Sequence, residues 1–337
     1  MAQPTMQQVA ERAGVSLALV SLVMRQAPNV SDYRRQLVLE AAAELGYRPN
    51  VLARNLASRQ TSTIGVVLND IHNPFFAEII DGIQAAFDEA GYRVLIGNGK
   101  RSPSGEAEMI ETFLQFRVDG IISAGATMSM SSIEAASEST KIVVVGRSSR
   151  SQLIDSVNTD DVSGARMAVD HLVELGHHRI AHIDGGTGAG AEARRRGYSE
   201  AMTDHGLSAE IVTAGGDFTE SGGYLAASEL LSHFYQPTAI FAANDLSAAG
   251  ALHRVEDAGL IVPDDVSIVG YDNTALAAMQ HLSLTTVNQP RDELGRLAVR
   301  FVLERLRDKR SDSVHHMVAP TLVNRKTSSR LTTGAAT

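Results

Sequence analysis

Cysteine is absent from the 337 residues, so no disulfide framework holds the fold. No apolar run approaches the length of a membrane span, and Met1 to Gln8 carries no apolar signal core. A secreted binding protein and a membrane partner are thereby disfavoured, and the cytoplasm is the expected compartment. Catalytic signatures are missing as well. There is no Gly-x-Ser-x-Gly elbow and no His-Glu-x-x-His pair, and His177-His178 after Leu175-Gly176 reads as a helix end rather than a metal site. The run Asp184-Gly185-Gly186-Thr187-Gly188-Ala189-Gly190 looks like a phosphate cradle. It lacks the Gly-Lys-Ser/Thr ending of a P-loop and the spacing of a dinucleotide fingerprint. The chain reads as a non-enzyme without cofactor or metal.

What is present begins at the N-terminus. Thr5 can cap a helix and Gln8, three residues on, can complete a capping box before Val9-Ala10-Glu11-Arg12-Ala13. Gly14 ends that helix, and Ser16 caps a second one after a tight turn, the pattern of a helix-turn-helix. In the second helix Val20, Val23 and Met24 form an apolar stripe, which leaves Leu17, Ala18, Ser21, Leu22 and Arg25 facing outward. A third helix from Ser31 to Leu45 places Leu37, Val38, Ala41, Ala42 and Leu45 on one face and stops at Gly46.

Spacing alone leaves open a small helical bundle with no nucleic-acid role. Charge favours contact with phosphate. Up to Gln60 there are seven arginines against four carboxylates, a net +3, whereas the whole chain carries −9 and the remainder therefore −12.

The stretches Val9 to Ser16, Val20-Ser21, Pro28-Asn29-Val30-Ser31, Glu44 to Asn50, and Ala53-Arg54 with Leu56 resemble the lactose-repressor (LacI/GalR) family of bacterial regulators, in family order. The resemblance implies a homodimer on a near-palindromic double-stranded operator, with one reading helix per half-site in the major groove. It also implies that Thr5, Ser16, Ser21, Arg25, Ser31 and Arg34 position the module on the backbone while Leu17, Ala18 and Leu22 face the groove. Two positions depart from the pattern. The family commonly has threonine where Leu19 stands and arginine where Leu22 stands, and leucine offers only apolar contact, for example to a thymine methyl. Leu19 either reaches the groove or turns inward onto the bundle.

Residues 50–61 follow as a hinge. Pro49 and Asn50 suit a helix start, but about two turns are too short to be stable alone. By resemblance Asn50, Ala53, Arg54 and Leu56 belong to a helix that folds on the operator, with Leu56 wedged between base pairs in the minor groove. An ordinary linker is the plainer alternative.

From residue 62 strands and helices alternate. Ile64-Gly65-Val66-Val67-Leu68, Phe75 to Ala90, and Arg93-Val94-Leu95-Ile96 make a β-α-β unit. Short apolar runs recur at Gly120, Ile142, Ile180, Ala239 and Ser267, which predicts parallel, doubly wound α/β sheets. The segment 64–96 is echoed by 180–212, so two lobes are expected. The expected division is a helix-turn-helix domain over 1–49, the hinge, and a periplasmic-binding-protein-like effector domain over 62–337. Lobe one would take 62–160 and 290–315, and lobe two 161–289 and 316–330.

Ligands of such sheets lie beyond the carboxyl ends of the strands, here the cleft between lobes. Strand-end position and resemblance together nominate Phe75, Phe76, Ser123, Arg147, Asp160, Arg194, Phe218, Asn244, Asp272 and Gln289 for a small-molecule effector. Arg194 would fork onto hydroxyls or a carboxylate, whereas Arg195 and Arg196 are expected in solvent. Polar groups flanked by aromatics suit a polyhydroxylated ligand. A sugar or sugar phosphate is the first expectation, a nucleobase or nucleoside the second, with a partner protein in place of the small molecule as a further alternative. Arg147 and Ser123 stand where other members have different residues, so no single known specificity transfers. The C-terminus has no leucine heptad, which leaves a dimer rather than a tetramer.

Overall fold

A computed structural model describes residues 4–25, 27–48, 61–232 and 236–331. The chain divides into two units, Met1–Thr61 and Ser62–Thr337.

Among its described residues the first unit holds three helices, α1 (Met6–Ala13), α2 (Leu17–Met24) and α3 (Asp32–Glu44). The capping box forms: the Gln8 amide donates to Thr5 Oγ1 at 3.3 Å and the Thr5 amide to Gln8 Oε1 at 2.8 Å. Gly14 adopts φ 65° to end α1, a conformation without steric cost only for glycine. Ser16 Oγ accepts from the Leu19 amide and starts α2. Val9, Ala10, Val20, Val23, Val38, Ala41 and Ala42 form the core, joined by Val30 from the loop before α3. One expectation fails here. Leu45, read as part of the buried face, is 37% exposed, because α3 ends at Glu44 and the chain turns away at Gly46.

The second unit contains two six-stranded sheets of matching order. The first runs β11-β5-β4-β3-β1-β2, from β1 (Thr63–Leu68), β2 (Arg93–Asn98), β3 (Gly120–Ala124), β4 (Lys141–Val145), β5 (Asp155–Thr159) and β11 (His315–Val318). The second runs β12-β10-β9-β8-β6-β7, from β6 (Ile180–Ile183), β7 (Val212–Ala214), β8 (Ala239–Ala242), β9 (Ser267–Asp272), β10 (Thr285–Asn288) and β12 (Thr321–Val323). Among the described residues every pairing is parallel except β10 with β12. The echo read from the sequence is thus a repeat of topology. In each sheet the first strand lies between the second and third, so the order reverses there and a crevice opens at the strand ends.

Eight helices among the described residues cover the sheets: α4 (Pro74–Ala90), α5 (Pro103–Gln115), α6 (Met130–Ser137), α7 (Asp161–Glu174), α8 (Ala191–Asp204), α9 (Glu220–Ser232), α10 (Asp245–Asp257) and α11 (Arg291–Leu306). The central strands of each sheet are buried on both faces, which is why they read as apolar runs, whereas the edge strands β2, β7 and β11 are largely exposed. In β1, Ile64, Val66 and Leu68 pack under α4 and α11 while Val67 packs with Phe113 and Ile110 of α5 on the other face.

The chain crosses between lobes after β5, after β10 and between β11 and β12. The last crossing lies beyond Val318 rather than at 315/316. The whole of β11 pairs with β5, and the Asp160 amide donates to the Val318 carbonyl. Among the described residues no helix is long and apolar enough to cross a membrane.

Candidate functional site

The carboxyl ends of both sheets face one another across a cavity of about 380 Å³, within the range of small-molecule pockets. On the second lobe its floor is Arg194. Helical spacing sets this side chain apart from its neighbours: Ala191, Arg194, Tyr198, Ala201 and Met202 form the buried face of α8. Arg195 turns outward to Asp184 (2.9 Å) and Arg196 to Glu200 (3.7 Å).

Arg194 is only 5% exposed. Its Nε donates to Asp161 Oδ1 at 2.9 Å, its Nη1 donates to the Ala243 carbonyl, and Asp272 Oδ1 lies 3.7 Å away. The guanidinium lies 3.9 Å from the centre of the Tyr271 ring and 5.5 Å from that of Phe218. Asp272, the last residue of β9, adopts φ 113° and accepts from Gln289 Nε2 at 2.6 Å. Burial pushes its carboxyl well above the usual carboxylate range, opposed by Arg194. Asp245, behind it, is raised by burial too, although Thr286 and Thr274 donate to it.

Phe218 also accounts for the glycine-rich loop. A β-carbon on Gly185 would sit 2.2 Å from its ring, and one on Gly188 would sit 2.5 Å away. The glycines make room for an aromatic side chain. Asp184 steadies the loop by accepting from the Gly186 and Gly216 amides. Burial raises its carboxyl, but these bonds and Arg195 outweigh it, so its pKa is lowered.

On the first lobe Phe75 and Phe76 open α4, where Asn73 caps the helix by accepting from the Phe75 amide at 3.0 Å. Their rings meet edge to face at 5.2 Å, and Phe76 lies over Gly125, where a β-carbon would approach within 2.6 Å. Asn69 and Thr127 line the same wall. Both are held by the buried Glu106, which accepts from Asn69 Nδ2 (3.1 Å), Thr127 Oγ1 (2.7 Å) and the Thr127 and Met128 amides. Across the cleft Arg101 donates to Asp217 Oδ2 at 3.0 Å.

In the first unit Thr5, Ser16, Leu17, Ala18, Leu22, Arg25, Ser31 and Arg34 are all exposed and Ser21 is half-buried. The stripe of Val20 and Val23 is buried behind them, so α2 presents a solvent face of the expected composition. Leu19 packs against the bundle core, which resolves the two readings of that position in favour of the inward one.

Two family models match this chain. Residues 5–50 match the bacterial regulatory proteins of the lacI family, and residues 169–328 match a periplasmic binding protein-like domain. Catabolite control protein A of Priestia megaterium is 36% identical over 313 residues, covering 92% of this chain and 94% of the relative. The chain belongs to the lacI family.

Its members are DNA-binding transcriptional regulators, and so is this protein; its relatives are not enzymes. Among solved structures, the Lac repressor bound to ONPG in its repressed state aligns at TM-score 0.86 and 30% identity, over 97% of this chain and 100% of that one. The transcriptional regulator CelR in complex with cellobiose aligns at 0.72 and 30%, over 96% and 100%.

Six nominated effector residues meet at the cavity: Phe75, Phe76, Arg194, Phe218, Asp272 and Gln289. Four do not line it. Ser123 lies within β3 in register with Val67 and Val144 and is 1% exposed, one residue short of the strand end. Asp160 is spent capping α7, accepting from the Ser163 amide and hydroxyl. Asn244 caps α10 and donates to the Phe218 carbonyl at 3.1 Å, so it acts from behind the aromatic ring. Arg147 donates to the carbonyls of Ala126 and Met128 and borders a neighbouring hollow of about 470 Å³. Asn69, Arg101, Thr127 and Asp217 were missed, although each follows a strand end within a few residues. The hinge residues Asn50, Ala53, Arg54 and Leu56 lie outside the described residues.

Proposed function

We propose that this protein is a cytoplasmic, homodimeric repressor whose hold on a near-palindromic operator is set by a small polyhydroxylated molecule bound between the lobes. The observation that carries the ligand reading is the buried guanidinium of Arg194, flanked by the Tyr271 and Phe218 rings and bordered by Asp272 and Gln289. Donors and acceptors converge there beside aromatic faces, the combination a sugar ring requires. The cellobiose complex of a relative supports the same class.

Control follows from position. A ligand held by residues of both lobes binds one lobe arrangement better than another, and operator affinity changes only by that difference. Leu17, Ala18 and Leu22 read the major groove, Ser21, Arg25, Ser31 and Arg34 fix the module on phosphates, and the hinge around Leu56 enters the minor groove.

A thermal-shift panel of sugars, nucleobases and nucleosides tests the ligand class. A ligand at a hundred times its dissociation constant stabilises the folded state by about 2.7 kcal/mol. Stabilisation by nucleobases and by no sugar would replace the polyhydroxylated reading. Fluorescence anisotropy on a selected operator, with and without the stabilising compound, then tests control of DNA binding.

A further inference from the structure

Among the described residues two guanidinium groups line the cavity, and both are already matched. Arg101 is held by Asp217 across the cleft at 3.0 Å. Arg194 is held by Asp161 at 2.9 Å and gives Nη1 to the Ala243 carbonyl, with Asp272 at 3.7 Å. Nearby, Arg147 gives Nη1 to the carbonyls of Ala126 and Met128 and borders a neighbouring hollow rather than the cavity, and Arg195 is paired with Asp184 at 2.9 Å. Against the two lining cations stand three lining carboxyl groups, Asp70, Asp217 and Asp272.

Two helix starts reach the cavity and could draw an anion, that of α4 and that of α8 after the glycine-rich loop. In α4 the Asn73 side chain takes the Phe75 amide, and Pro74 has no amide proton to offer. The start of α8 is answered from within the protein. Gly190 caps α8 without a side chain, and Asp161 Oδ2 lies 2.9 Å from where a β-carbon on Gly190 would be. Glu192 adds a negative group in the first turn.

From this arrangement we infer that the cleft ligand is uncharged and that its phosphorylated or carboxylated counterparts are refused. The inference rests on the proposed polyhydroxylated effector and narrows its chemistry. A phosphate would have to shed water in a cavity whose lining charges do not sum to a positive value. A hydroxyl meets what it needs. Gln289 occupies only Oδ1 of Asp272, and Arg194 has five N–H groups, more than Asp161 and Ala243 engage.

Calorimetry on the full-length protein tests this with matched pairs: glucose, ribose and cellobiose against their phosphate monoesters, and adenosine against its monophosphate. The neutral member of at least one pair is expected to bind, with its phosphate weaker by about tenfold or more. Asp217→Asn leaves Arg101 unmatched and is expected to narrow that gap. A phosphate that binds as tightly as its neutral partner, or tighter, overturns the inference and leaves the polyhydroxylated reading standing. Binding by no member of any pair overturns both.

Discussion

Arg291 Nη2 donates to the backbone carbonyl of Asn273 at 2.6 Å, and so joins the first helix turn of one lobe to a loop of the other. The same guanidinium takes Glu78 Oε2 of α4 at 2.6 and 2.9 Å and the Gln289 carbonyl at 3.0 Å. Asn273 follows Asp272, and both adopt positive φ. The bracket therefore abuts a carboxyl group that lines the cavity.

Arg291→Ala should cost roughly 1–3 kcal/mol, since Arg291 is 7% exposed but Glu78 keeps partial access to water. Urea unfolding measures that cost. The sharper expectation concerns control: the ratio of operator affinities with and without effector should shrink while effector affinity changes less. An unchanged ratio would make Arg291 a purely structural residue.

Arg194→Ala should weaken effector binding by roughly a hundredfold, as for other buried, charge-paired anchors at the centre of a site. Operator binding without effector should persist. Calorimetry and anisotropy on the same preparation separate the two effects.

His182 is fully buried between the Tyr198 and Phe241 rings, at 5.2 and 4.8 Å, with Nδ1 2.9 Å from the Phe241 carbonyl. Burial lowers its pKa to about 4 from 6.5. The unfolded chain takes up this proton first, so the contribution to stability is full above the unfolded pKa and is lost as pH falls from about 6.5 towards 4. At the low end of that window the loss approaches roughly 3 kcal/mol, at 1.36 kcal/mol per unit. His182→Phe should remove this acid sensitivity. Comparing parent and variant at each pH isolates it from Asp272 and Asp245, whose raised values give the opposite slope. Parallel stability curves for the two proteins would refute the assignment.

Leu22 is 40% exposed on α2, in the first unit. Leu22→Arg should leave stability within about 0.5 kcal/mol, as surface substitutions do. It should move the preferred base at one operator position towards guanine, because arginine can fork onto its O6 and N7 edge. Selection from a random duplex library, run on parent and variant, reads the change.

β1, β3, β4, β6 and β8 are legible in the sequence because strands buried on both faces are mostly apolar. β5 is not, although its residues Asp155-Ser156-Val157-Asn158-Thr159 are equally buried. Asp155 tolerates this position because Arg305 (3.0 Å), Arg310 (2.7 Å) and the Val314 amide converge on it. Those partners lie 150 residues or more away in the chain, beyond any local pattern. The site divides the same way. Arg194 and Asp272 were legible from helical spacing and strand ends, whereas the pairing of Arg101 with Asp217 spans 116 residues and leaves no trace in either neighbourhood. Arg147 stands beside the cavity rather than on its wall, because Nη1 is drawn to the carbonyls of Ala126 and Met128, a contact that residue type and strand-end position do not reveal.

The three passages between the lobes all leave from one flank of each sheet, where β5 neighbours β11 and β10 neighbours β12. Parallel straps fixed along one border resist sliding and wringing but yield to bending, as the spine of a book does. The opposite border is where the glycine-rich loop and the Arg101–Asp217 contact lie. Whatever a bound molecule contributes through its size and its hydroxyl pattern is thereby reduced to one variable, the angle at which the two covers stand.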